Sequence, residues 1–262
     1  MAGPTLINSL ARGMQILRLL ATNAGSLGVT EIAERLRVDP STAYRLLSTL
    51  EVQGFVSQDE GSKKYSLGYG ILEVTSGLLR RLSVVEVAQP HLYSVAVKLG
   101  ESAHVAVRDR RFAVSVGSES ATGVLRVETI LGTPEPLHCT AIGKALLLDF
   151  SREQLAELFG DGKFERHTPH TLTTIEELEL DLMRARRLGY AFDDEELHPG
   201  VRCIAAPVRD YTNRTIAAFG ISSPAVRLTR DRVEELAPEV CEHAQAISAQ
   251  LGYAPGRKAA AP

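Results

Sequence analysis

The stretch Asp39-Pro40-Ser41-Thr42-Ala43-Tyr44-Arg45-Leu46-Leu47-Ser48-Thr49-Leu50-Glu51 decides the fold of the first third of the chain. An acid followed by proline at the first helical position is a helix start. Ala43, Leu46, Leu47 and Leu50 then recur in steps of three and four and predict one buried face. Ser41, Thr42, Tyr44, Arg45, Ser48 and Thr49 are left on the other face. Just upstream, Thr30 reads as the N-cap of a shorter helix, with Glu31 and Glu34 in its first turn and Ile32, Ala33 and Leu36 buried. Before that, Leu10, Met14, Leu17 and Leu20 predict one face of a first helix. Downstream, Phe55-Val56 and Lys63-Lys64-Tyr65-Ser66-Leu67 flank the turn residues Asp59, Glu60 and Gly61, the signature of a hairpin.

Two helices joined by a tight turn, with short donors, a tyrosine and an arginine along the second, follow the logic of a helix-turn-helix. The basic hairpin then reads as its wing. Ser41 and Thr42 suit phosphates or bases at the helix start, and Arg45 suits a guanine edge or a phosphate. Tyr44 suits a sugar or phosphate, while Lys63 and Lys64 reach an adjacent phosphate strand. Thr30, Ser48 and Thr49 complete the candidate DNA-facing set.

The charge balance bears on this reading. The 262-residue chain holds 29 Lys and Arg against 32 Asp and Glu, a net −3 that taken alone speaks against nucleic acid. The charge is uneven, however. Residues 1–82 carry nine basic and seven acidic side chains, or +2, which leaves −5 for the remainder. A sign change along the chain points to two domains with different partners. Cys139, Cys203 and Cys241 are odd in number and lack CxxC spacing, so neither a disulfide framework nor a zinc site is expected, and a reducing cytoplasm fits. The first 20 residues lack a signal-peptide pattern, and no apolar run approaches the ~18–20 residues that span a bilayer. No membrane partner is expected.

Beyond the hairpin, Ile71, Leu72, Val74, Thr75, Leu78, Leu79 and Leu82 keep helical spacing up to Ser83. A helix over 84–99 follows, with strands at 103–107, 113–116 and 125–130. Pro134 and Pro136 punctuate a loop before a helix over 140–150. Helices at 152–158 and 174–188 and strands at 190–193, 202–209 and 216–221 come next. In the closing helix, Pro238 predicts a bend. Hairpin-like spacing of the strands indicates α+β rather than a parallel βαβ sheet. Thr140-Ala141-Ile142-Gly143 opens a helix whose free N–H groups suit a carboxylate, and Gly143 permits close approach. Lys144, one turn in, often points to solvent at such a position. The spacing of His104, His138, His167, His170 and His198 shows no metal motif; the pair His167/His170 reads as surface.

Several segments resemble one family in order along nearly the whole chain. They are Thr30-Glu31-Ile32-Ala33-Glu34, the stretch 41–51, Gly54-Phe55-Val56 and Tyr65-Ser66-Leu67-Gly68, then 137–146, 189–196 and 200–208. The chain is similar to the isocitrate-lyase regulator (IclR) family of bacterial transcription factors. The resemblance implies a winged helix-turn-helix (6–68), a linker helix (69–83) and a GAF-like effector domain with a mainly antiparallel sheet (84–253), followed by a disordered tail (254–262). It implies dimers or dimers of dimers that bind operator DNA and a small organic molecule. Asp193, Cys203 and Ser222 fall on positions that resemble ligand contacts in members binding small keto acids. Gly220 departs from a second serine found there in some members and would leave more room. With Thr140, Ala141, Ile142 and Gly143 these form the candidate effector site.

The expected function is a ligand-responsive regulator, more readily a repressor than an activator, of a metabolic operon. No catalytic residue, metal or cofactor is expected. A cytosolic thiol enzyme using Cys203 or Cys139 with Asp193 is the alternative, weakened by the lack of a nucleophile–base motif.

Overall fold

A computed structural model describes residues 7–23, 25–79, 83–160 and 162–254. The chain divides into two compact units, Met1–Arg81 and Leu82–Pro262. The first contains α1 (Asn8–Thr22), α2 (Val29–Leu36), α3 (Pro40–Val52), an antiparallel hairpin of β1 (Val56–Gln58) and β2 (Tyr65–Leu67), and α4 (Gly70–Leu79). The start of α3 forms as its sequence dictates: the Asp39 carboxylate accepts the Thr42 N–H at 2.9 Å, with Pro40 in the first turn. Ile16, Leu20, Leu27, Ile32, Leu47, Val56 and Tyr65 close the core. Tyr65 and Leu27 exchange two backbone hydrogen bonds, at 2.8 and 3.0 Å, which fix the wing to the segment before α2.

Two local expectations change. The buried face of α1 is Gly13, Ile16 and Leu20, whereas Leu10 and Met14 are exposed. Helix α2 begins at Val29 with Gly28 at its cap. Glu31 reaches back to accept the Gly28 N–H at 2.7 Å, so Thr30 sits inside the first turn instead of capping it. The helix expected to run up to Ser83 is described as α4 over Gly70–Leu79, and the next described helix is Ser83–Leu99. Leu82 lies outside the described residues, as do residues 255–262 of the expected tail.

The second unit contains α5 (Ser83–Leu99), β3 (Ser102–Asp109), β4 (Phe112–Glu119), β5 (Pro134–Pro136), α6 (Ala141–Leu146), α7 (Arg152–Phe159), α8 (Ile175–Leu188), β6 (Ala191–Asp194), β7 (Val201–Arg209), β8 (Thr215–Pro224) and α9 (Arg230–Gln250). The six strands form one sheet in the order β5-β4-β3-β8-β7-β6, with every neighbouring pair antiparallel. Strand alternation serves two cores. Ile204, Ala206, Val208, Ala217, Phe219 and Ile221 pack with Leu92, Val95, Val240 and Ile247 of α5 and α9. Ala205 and Ala218 face the other way, toward Ala141, Ala145, Leu178 and Leu182 of α6 and α8.

Residues 125–130 form no strand, and Leu125 and Ile130 are exposed. The edge strand is the proline-flanked β5 instead. Proline is tolerated there because a sheet edge leaves one side of the strand without a ladder. The helix expected over 140–150 is the shorter α6, and α9 runs uninterrupted through Pro238.

Lys144 does not point to solvent. It is fully buried, with Nζ 2.6 Å from Glu196 Oε1 and 2.8 Å from Asp181 Oδ2. Burial alone would lower its pKa, but the two carboxylates hold the ammonium above its ordinary value. The cluster ties α6 to α8 and to the loop between β6 and β7. We expect Lys144→Ala to cost about 3–5 kcal/mol in urea unfolding, because it strands the buried Glu196 carboxylate. The double variant Lys144→Met/Glu196→Gln should recover most of that loss. A loss below about 1 kcal/mol for the single variant would show that the charges are effectively solvated.

Candidate functional site

The outer face of α3 divides into engaged and free donors. Ser41 Oγ donates to Asp39 Oδ1, and Thr42 Oγ1 donates to Asp39 Oδ2 at 2.7 Å. These bonds hold the Asp39 carboxyl well below the usual carboxylate range. Thr49 Oγ1 donates back to the Arg45 carbonyl at 2.9 Å. Tyr44 and Arg45 are exposed, and Ser48 is half-buried between them and the core. Thr30 is exposed on α2. In the wing, Asp59 Oδ1 accepts the Ser62 N–H at 2.7 Å and its hydroxyl at 2.6 Å, closing the turn. Lys63 follows in the left-handed region at φ 57°, and Lys63 and Lys64 are both exposed. The expected donors thus separate into a free cationic set, Arg45, Lys63 and Lys64 with Tyr44, and the hydroxyls of Ser41, Thr42 and Thr49, which are engaged within the protein.

In the second unit, six of the seven expected effector residues, Thr140, Ala141, Ile142, Asp193, Cys203 and Ser222, line one cavity of about 90 Å³. Three of them form a row across the sheet, because Cys203 on β7 is the register partner of Asp193 on β6 and of Ser222 on β8. Cys203 Sγ lies 3.1 Å from Ser222 Oγ. Gly143 does not line the cavity. A Cβ there would sit 2.5 Å from the Leu137 Cα and carbonyl oxygen, so this glycine serves the close packing of α6. Gly220 adds no room either: a Cβ would lie 2.5 Å from the Ile204 carbonyl oxygen and 2.9 Å from Ala205 Cβ.

His104, Glu128, Glu135 and His198 also line the cavity and were not legible beforehand, since they come from a strand, two loops and an edge strand with no shared motif. The lining holds no Lys or Arg. The Asp193 carboxyl is pushed up to about 7 by burial and by Glu196 beside it. Its Oδ1 accepts the Glu196 N–H at 2.7 Å. Burial also raises Glu135 and holds the His104 imidazole neutral, down at about 4. His104 Nδ1 is buried without a hydrogen-bond partner. At the start of α6, Thr140 Oγ1 accepts the Gly143 N–H at 3.0 Å.

The thiols are ill-suited to nucleophilic chemistry. Burial and then the neighbouring Asp193 raise both Cys203 and Cys139 above the ordinary thiol value. A reactive cysteine needs the reverse shift. His167 and His170 are both exposed, as expected of a surface pair, and His167 lies near His138 and Cys139.

Comparison with known proteins gives a consistent answer. Residues 9–60 match the IclR helix-turn-helix domain, and residues 76–249 match the C-terminal domain of the bacterial transcriptional regulator IclR. The chain is 36% identical over 247 residues to the HTH-type transcriptional repressor AllR of Salmonella typhi, covering 94% of this chain and 91% of that protein. The crystal structure of Thermotoga maritima IclR is similar with a TM-score of 0.80 and 31% identity, over 95% of this chain and 100% of that one. An IclR homolog from Microbacterium hydrocarbonoxydans, solved in complex with 4-hydroxybenzoate, shares the fold with a TM-score of 0.79 at 24% identity, over 93% and 98% of the two chains. The chain belongs to the IclR family of bacterial transcriptional regulators, and neither its relatives nor its thiols support an enzyme.

Proposed function

We propose that this regulator is a cytoplasmic repressor of a metabolic operon. It grips a pseudo-palindromic operator as a homodimer or a dimer of dimers and responds to a small carboxylate in the cavity of its second unit. The observation that carries the reading is the division of labour between the units. Free cationic donors, Arg45, Lys63 and Lys64, lie on the winged helix. A small polar cavity with an unpartnered imidazole lies on the other unit. The AllR relatives, named as repressors, favour repression.

In this reading the N-terminal residues of α3 enter the major groove. Arg45 meets a base edge, and Tyr44, Ser48 and Thr49 contact sugar and phosphate. The wing lysines take an adjacent strand, with Thr30 on the flanking backbone. Ser41 and Thr42 contribute once their hydroxyls exchange Asp39 for DNA. In the cavity, the N–H groups of Ala141 and Ile142 receive the carboxylate, and Ser222 and Cys203 flank it. Because no cation lines the site, the ligand shares the proton of Asp193. Switching requires that the effector bind the DNA-competent and incompetent states with different affinity. The effector domain (84–253) would bias the winged helix (6–68) through the linker (69–83).

Gel shifts test the DNA side. Arg45→Ala should lose roughly 1–3 kcal/mol of operator affinity and relax sequence preference. Unchanged affinity would remove Arg45 from base reading. Lys63→Ala should weaken binding to all sequences alike and flatten the salt slope by about one unit.

Titration tests the effector side. Asp193 keeps its proton in the native state up to about 7, whereas the unfolded chain releases it near 3.8. Stability should therefore fall as pH rises through this window and level off above it. Asp193→Asn should flatten the decline, as measured by urea unfolding across pH. Stabilisation by small carboxylates in thermal shift should likewise be stronger at pH 6 than at pH 8 in the parent protein only. Equal stabilisation at both pH values would separate the ligand from the Asp193 proton.

A further inference from the structure

Two histidines and a cysteine that neither the DNA face nor the effector cavity uses converge on one point. His138 and Cys139 lie between β5 and α6, and His167 lies in the loop between α7 and α8. One nitrogen from each imidazole and the Cys139 sulfur all lie within 4.8 Å of one another. His138 and Cys139 are buried, while His167 opens toward solvent and offers an entry path.

Both histidines sit in segments held by hydrogen bonds. His138 Nε2 lies 3.1 Å from the Glu165 carbonyl oxygen. A carbonyl only accepts, so the proton resides on Nε2 and the lone pair on Nδ1. Burial keeps this imidazole neutral, and its ring stacks on Phe164 with centroids 4.6 Å apart. A carbonyl behind one nitrogen of an imidazole is the usual support of a metal-bound histidine. The His167 segment is pinned as well. Its N–H donates to Thr171 Oγ1 at 3.0 Å, and that hydroxyl donates to the Glu196 carbonyl at 2.6 Å. The two histidine rings lie 28° from parallel, 6.0 Å apart, with the thiol beside them.

We propose that His138, Cys139 and His167 form a zinc-binding site in the effector unit, with a fourth position left to water or a small donor ligand. Two imidazoles and one thiolate are the donor set that favours Zn²⁺ over the hard cations Mg²⁺ and Ca²⁺. On binding, the Zn–S bond forms as the Cys139 S–H bond breaks, and one proton leaves to solvent without any redox change. The Glu196 carboxylate nearby favours the cation. Lys144 opposes it, but Glu196 and Asp181 neutralise that charge. Because Cys139 precedes Thr140, which caps α6 and lines the effector cavity, the ion would clamp the segment that shapes the cavity to the loop carrying His167.

The test is a Co²⁺ titration of full-length, untagged protein previously stripped with chelator. We expect one Co²⁺ per chain, tetrahedral d–d bands, and a thiolate-to-cobalt charge-transfer band that Zn²⁺ abolishes. Cys139→Ser should remove the charge-transfer band, whereas Cys203→Ser and Cys241→Ser should retain it. His167→Gln, a surface substitution that spares the core, should keep a weaker band and require at least about tenfold more Co²⁺. Absence of the band in the parent protein would overturn the proposal. So would its persistence in Cys139→Ser, or titration of His167→Gln identical to the parent.

Discussion

The effector unit depends on one buried ammonium. Lys144 sits on a helix of only six residues, packed by small side chains against the sheet. Sequestering that charge is tolerable only if carboxylates come to it. Asp181 arrives from α8 and Glu196 from the loop after β6, so a single cation fixes the mutual position of three elements. Glu196 then passes the constraint on. Its N–H binds Asp193, and its carboxylate, with burial, keeps Asp193 protonated near neutrality. The acid that lines the cavity is thus conditioned by a lysine that does not line it.

Legibility of this arrangement in the sequence followed the range of the forces involved. Helix α3 was readable because Asp39-Pro40 and the leucine spacing act within a few residues. The wing was readable for the same reason. The buried face of α1 is ambiguous in the sequence because Leu10 and Met14 fit a helical stripe as well as Ile16 does, and the packing of α2, α3 and the wing against α1 decides between them. The edge strand was placed at 125–130 on apolar content, whereas the sheet accepted the proline-flanked β5 at an edge where a full ladder is not needed. Lys144 was misjudged because its partners lie far along the chain. Asp193, Cys203 and Ser222 were singled out through family resemblance, and only the strand register shows why they form one row. His138, Cys139 and His167 escaped spacing rules because no helix or hairpin carries all three.

The two units handle polar groups in opposite ways. In the cavity, His104 Nδ1 is left without a partner and burial raises the acids Asp193 and Glu135. On the winged helix, by contrast, the hydroxyls of Ser41, Thr42, Thr49 and Ser62 are satisfied internally, and Arg45, Lys63 and Lys64 are exposed. This fits a chain whose net charge of −3 conceals a basic first segment.

The cap of α3 has a consequence for how the protein meets bulk DNA. A helix start is an anion site, and a passing phosphate would ordinarily be drawn to it. Here Asp39 occupies that position with a full negative charge, held ionised by three hydrogen bonds from Ser41 and Thr42. A misplaced backbone phosphate meets repulsion at the tip of the recognition helix instead of attraction. The residue that stabilises the helix start thus also sets the sign of the field at that end of α3, where the N–H groups alone would be positive.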